Sequence, residues 1–163
     1  MYSIHTQVIY GASGVCEIID IRREKFAQEE KEYYVLRPIG SSGSTIFVPV
    51  DNPELTGRMK KLLNSEEIHA LLQGPVKDYP WIKDNRIRSE KYRQTLDKGD
   101  REELLALIRR IWAEKQIRME QGKKLWALDE NALARAEKIL YDEFSLILAE
   151  DRDAITAKLR GQS

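Results

Sequence analysis

The chain has 163 residues, a third of them charged, with 27 lysines and arginines balanced by 27 aspartates and glutamates. That length allows one domain with a full core or two small ones. The lack of any long apolar run argues against a transmembrane helix, and the single cysteine, Cys16, against a disulfide framework or a multi-cysteine metal site.

The first fifty residues carry β signals. The runs TQVIYG, GVCEIIDIRRE, KEYYVLRPI and STIFVPV are short and rich in Val, Ile, Tyr, Phe and Thr. Turn signals separate them at Gly11–Gly14, Gln28–Glu30 and Gly40–Gly43. Four or five short strands with tight connections predict a small, strongly bent barrel of the SH3 or Tudor kind. In STIFVPV, Pro49 cannot donate to a ladder, so this run suits an edge strand able to add a partner's strand. Strand alternation would put Thr45 and Phe47 on one face and Ile46 and Val48 on the other.

From Asp51 the period changes. DNPEL has turn chemistry, and Ser65 before Glu66 and Glu67 reads as a helix start, followed by Ile68, Leu71 and Leu72 and ended by QGP. Asp84 or Asn85 caps a helix predicted to reach Lys98, with Gly99 as its left-handed terminator. Asp100 with Glu103 forms a capping box before a long helix whose apolar face carries Leu104, Ile108, Ile111 and Trp112. Asp129 opens the next helix, with Leu133, Ala136, Ile139, Leu140 and Phe144 inward, and EDRDAITAKLR is a short last helix. Trp112 and Trp126 are expected in the core. The chain thus reads as α+β: a β module over residues 1–52 and an α-helical domain over 53–163.

Net charge is zero, yet unevenly spread. Residues 77–98 hold seven cations against four acids, and residues 109–124 hold six against two. Residues 125–163 reverse the sign, with five cations against eight acids. Local basic stretches suit a polyanion, while overall neutrality argues against binding nucleic acid by charge alone.

Catalytic chemistry is not legible. His5 and His69 stand on different predicted elements, and neither has a ligand partner at metal spacing. Cys16 lies between apolar neighbours in a β run and reads as an inert buried thiol. GASG lacks the lysine and following helix of a phosphate loop. A non-enzymatic protein without cofactor, metal, small-molecule substrate or membrane partner is expected. The N-terminal MYSIHTQVIY shows neither a cationic start nor an apolar stretch, so a cytoplasmic location is the simplest reading.

The order and spacing of QVIYGASGVCEI, KEYYVLRPI, TIFVPVDN, Pro80-Trp81 with its basic run, KGD at 98–100 and ARAEKILYDEFSLIL resemble the CarD-like family of bacterial transcription regulators. The resemblance implies a Tudor-like N-terminal domain that binds the RNA polymerase β subunit. It also implies a helical domain that contacts promoter DNA at the upstream edge of the melted bubble, where a tryptophan wedges into the minor groove and supports the open complex. The polymerase-binding residues would be Thr45, Ile46, Phe47 and Val48. The DNA-binding residues would be Trp81, Lys83, Arg86, Arg88, Lys91, Tyr92 and Arg93.

This sequence departs from the family pattern in three places. Gly11 stands where many members have proline. Trp81 lies about four residues farther from Gly99 than the usual wedge tryptophan does, and a gapless match would put Asn85 there. Asp129, Glu130 and Asn131 replace basic residues at the start of the late helix, leaving Lys123 and Lys124 as alternative phosphate contacts. On the residues alone, Trp81 suits either an unpaired base or a hydrophobic staple on the Ser65 helix or Ile87. The competing reading of the whole chain is a protein–protein adaptor with a Tudor-like module and no direct DNA contact.

Overall fold

The computed structural model describes residues 1–40 and 43–162 and divides into two compact units, Met1–Leu62 and Leu63–Ser163.

The first unit is a five-stranded antiparallel sheet with strand order β4-β3-β2-β1-β5. Its strands are β1 (Gln7–Tyr10), β2 (Val15–Phe26), β3 (Glu29–Pro38), β4 (Ile46–Pro49) and β5 (Met59–Lys61). The long β2–β3 hairpin closes on Ala27 and Gln28, both at positive φ, with Phe26 opposite Glu29. Two such residues in series give the turn twist that matches paired strands, here without the glycine that usually supplies it. A register shift between Ile18 and Asp20 inserts a bulge into β2 and bends that strand. Val8, Cys16, Ile18, Tyr34, Leu36, Val48 and Met59 form the core.

Four of the strands fall on the four β runs of the sequence. The fifth, β5, lies beyond the expected boundary at residue 52. Its three residues pair with Val8–Tyr10 of β1, and Met59 is a core residue, so the first unit runs ten residues longer than the β runs indicate. DNPEL is a one-turn helix, α1 (Pro53–Thr56), with Asn52 as its side-chain cap. The recorded pairings leave β4 and β5 at the two ends of the strand order. The turn expected at Gly40–Gly43 includes Ser41 and Ser42, which lie outside the described residues.

The second unit is helical: α2 (Ser65–Gln73), α3 (Asn85–Lys98), α4 (Arg101–Glu120), α5 (Ala127–Ile147) and α6 (Arg152–Leu159). The α4 helix buries five consecutive residues, Leu104 to Ile108, and then Ile111. A stretch apolar all round must be surrounded, and α3, α5 and α6 all pack against it. Cap chemistry sets the ends. Asp84 accepts from Ile87 N–H, Gly99 ends α3 in the left-handed conformation, and Asp100 accepts from Glu103 N–H. Asn64, not Ser65, caps α2, in a reciprocal box with Glu67. Helix α5 starts at Ala127, two residues before Asp129, with Trp126 in the cap position and no side-chain cap hydrogen bond.

Two buried ion pairs lock the helices. Glu143 on α5 accepts hydrogen bonds from Arg101 Nε and Nη2, each at 2.8 Å, and from the Leu63 N–H at 2.8 Å. Arg88 on α3 is bound to Asp129 on α5.

Candidate functional site

Edge strand β4 is the first candidate. It pairs with β3 in the register Tyr34–Val48 and Leu36–Ile46, and the Val50 N–H donates to Glu32 C=O beyond it. Antiparallel ladders alternate, so the polar backbone of Ile46 and Val48 is spent on β3 and that of Phe47 faces outward. Side chains alternate as well. Val48 is fully buried and Ile46 packs against the core. Phe47 lies on the opposite face, edge-on to Phe26 at 5.4 Å and Tyr33 at 6.0 Å, with the Arg22 guanidinium 5.4 Å from its ring. Phe26 is 46% exposed and Thr45 is exposed. Of the four residues expected at a partner surface, Thr45 and Phe47 face outward. Ile46 and Val48 do not, because strand alternation gives them to the core.

The second candidate lies in the helical unit. The irregular segment carrying Trp81 is tied down on both sides. Before it, Tyr79 is buried, stacked on Tyr92 with ring centres 6.5 Å apart, and its hydroxyl is 2.9 Å from Thr95 Oγ1. After it, Arg88 Nη1 donates to the carbonyls of Ile82 (2.9 Å) and Lys83 (3.3 Å). The half-buried Trp81 ring lies 4.5 Å from the guanidinium carbon of Arg88 and 5.5 Å from that of Arg110. Its recorded partners are thus cations, not Ile87, which is 52% exposed.

Arg88 and Tyr92, expected at the DNA surface, are instead buried and bound to Asp129. Arg88 is 2% exposed and binds Asp129 through Nε at 2.8 Å and Nη2 at 3.1 Å. The Tyr92 hydroxyl donates to the same carboxylate at 2.7 Å. A buried carboxylate needs such a set of donors. Burial works against the charge on Arg88, but the bonds to Asp129 outweigh it and hold the guanidinium more firmly protonated than usual. Burial, and then Asp129, push the Tyr92 phenol above its ordinary value, so it remains a donor. Spacing on α3 could not reveal this, because the partner lies 41 residues away.

The other expected cations are at the surface. Lys83, Arg86 and Arg93 are exposed and Lys91 is half-buried, its Nζ 4.9 Å from the Tyr79 ring. Arg93 is paired with Glu90 at 2.5 Å. Among the described residues no acid lies within ion-pair distance of Lys83 or Arg86, nor of Lys123 and Lys124.

Trp126 is not in the core. It is 45% exposed, 5.3 Å from the Arg88 guanidinium and 4.9 Å from that of Arg118. Glu114 then pairs with both Arg110 (3.9 Å) and Arg118 (3.5 Å). Guanidinium and indole therefore alternate through Arg110, Trp81, Arg88, Trp126 and Arg118. The sequence did not announce the exposure of Trp126, because the helix expected to open at Asp129 opens at Ala127 and leaves this indole in the cap position. Trp112 is half-buried against the core, with Arg160 4.1 Å from its ring.

Cys16 is fully buried and burial pushes its thiol up to about 11. Among the described residues no group of His, Cys, Asp and Glu could hold a metal ion, and no helix is long and apolar enough to cross a membrane.

Residues 2–63 match the family model described as the CarD-like/TRCF RID domain, a match consistent with a CarD-like family. It ends within a residue of the first structural unit. Domains of this family interact with the RNA polymerase β subunit and are not catalytic. No curated protein matches the chain.

Proposed function

With a CarD-like/TRCF RID domain over residues 2–63 as the premise, we propose that this chain is a non-enzymatic transcription regulator. In this reading it binds the RNA polymerase β subunit through the outward backbone of β4 and the Phe47 side of the sheet. Its helical unit contacts promoter DNA at the upstream edge of the bubble and tunes the stability of the open complex.

For the DNA contact, the carrying observation is the setting of Trp81. Its ring is held by two guanidiniums in a segment fixed at Tyr79, Ile82 and Lys83. A preorganised aromatic edge loses little freedom on engaging a base step. The exposed cations Lys83, Arg86 and Arg93, with Lys91, supply phosphate contacts beside it. Arg88 supports the Trp81 ring, and Tyr92 holds the neighbouring Tyr79 and Asp129.

The test is Trp81→Ala in the full chain with polymerase on a promoter. The variant is expected to stay folded, to keep polymerase binding and to shorten the open-complex lifetime. A folded variant with an unchanged lifetime would remove Trp81 from the reading. Failure of the wild type to bind any forked promoter DNA would leave the adaptor reading in its place.

A further inference from the structure

The indole of Trp126 is the observation that the proposed function does not absorb. It is a large aromatic side chain left 45% exposed. It is also out of place, filling the cap of α5 without capping it. Ser, Thr, Asp or Asn there would stabilise the helix, so local stability does not account for the tryptophan.

Its surroundings are cationic. Arg118 lies 4.9 Å from the ring and Arg88 5.3 Å. Lys123 and Lys124, in the loop leading to Trp126, are exposed and without an acidic partner among the described residues. Arg118 Nε is buried with no hydrogen-bond partner among the described residues, its contact to Glu114 being a 3.5 Å ion pair. Three acids of α4 and α5 are already committed: Glu114 to Arg110 and Arg118, Glu130 to Lys115 at 3.2 Å, and Asp129 to Arg88.

Trp81 and Trp126 share the guanidinium of Arg88, so their ring centres lie within about 10 Å of each other. That upper limit is no more than the span of a few stacked bases. An exposed indole that follows two exposed lysines without an acidic partner among the described residues is what a single strand of nucleic acid engages, the base with the ring and the phosphates with the charges. An apolar protein partner would not call for Arg118 at the ring and Lys123 and Lys124 in the loop just before it.

We propose that Trp126, with Arg118, Lys123 and Lys124, is a second contact for the unpaired strand, continuing the path that begins at Trp81. The inference rests on the DNA-binding reading above. It assigns to this face a single-stranded ligand rather than more duplex. Arg88 is the positioning residue common to both rings.

The full chain is titrated with a blunt duplex and with the same duplex carrying an unpaired tail of several nucleotides. The central variant is Trp126→Ser, whose hydroxyl supplies the missing helix cap. Binding of the tailed DNA is expected to weaken roughly tenfold, the scale of one stacked base, with blunt-duplex binding unchanged. Trp126→Phe, which keeps a ring, is expected to retain most of the tailed affinity. The variant Lys123→Ala/Lys124→Ala leaves both indoles in place and is expected to flatten the salt dependence on tailed DNA. Wild-type affinity of folded Trp126→Ser for tailed DNA, alongside weakened Trp81→Ala, would overturn this inference and leave the DNA-binding reading intact. Equal losses on blunt and tailed DNA would overturn the single-strand assignment. No binding of wild type to either DNA would overturn both.

Discussion

Arg88 shows how much one residue's meaning depends on its partner. A guanidinium on a basic helix segment reads as a phosphate contact, yet it sits in the interior because Asp129 and two backbone carbonyls give every one of its nitrogens a hydrogen-bond partner. Arg88→Ala strands the Asp129 carboxylate with little beyond the Tyr92 hydroxyl. It is expected to cost about 3–5 kcal/mol, measured by urea unfolding, and to free both indoles. Cys16 gives a second test at this scale. Its folded-state value, about 11, lies above the ordinary 9.0 because burial disfavours the thiolate. Below pH 9 both folded and unfolded chains hold the proton. Above it the unfolded chain releases the proton first, so stability falls as pH rises from about 9 to 11, by about 1.4 kcal/mol per unit. Comparing the alkaline slope of the wild type with that of Cys16→Ala isolates the thiol, since other groups titrate equally in both.

At the scale of elements, β4 and α3 each divide their residues between core and surface. On β4, Phe47→Asp should leave the fold intact and weaken polymerase capture, because Phe47 is on the outer face. Ile46→Asp should instead lower the unfolding midpoint, because Ile46 packs on the core. Polymerase capture at wild-type strength by a folded Phe47→Asp chain would exclude this strand. On α3 and the segment before it, alanine at Lys83, Arg86, Lys91 and Arg93 together should reduce the slope of log affinity against log salt, by up to roughly 0.9 per lost phosphate contact. Sequence preference should hardly change. An unchanged slope would place the DNA face elsewhere.

At the scale of the molecule, two units with separate cores imply separable roles. A fragment of residues 1–62 contains all five strands and the complete core. It is expected to fold and to retain polymerase binding. A fragment of residues 1–52 lacks Met59 and the β5 partner of β1, exposing part of the core and a row of unpaired backbone groups. It is expected to lose cooperative unfolding and polymerase binding together. Circular dichroism and a pull-down on the two fragments check both.

The sequence by itself determined the α+β class, the four strands of the β runs, the ends of α3 and the start of α4. These follow from local causes: β-branched runs, Asp84 and Asp100 as caps, and Gly99 at positive φ. It also marked Cys16 as buried and Phe47 as opposite in face to Val48, since alternation is a property of the strand alone. Tertiary structure decided the rest. Strand β5 is only three residues long and gains its identity from β1, where Tyr10 pairs with Met59, far along the chain. Arg88 and Tyr92 became interior residues because α5 delivers Asp129 to them. Trp126 and Trp112, alike in sequence as apolar residues beside helix faces, separated into surface and half-buried roles. Local patterns carry conformational preference, whereas burial of a charge or a ring is settled by partners that chain position does not announce.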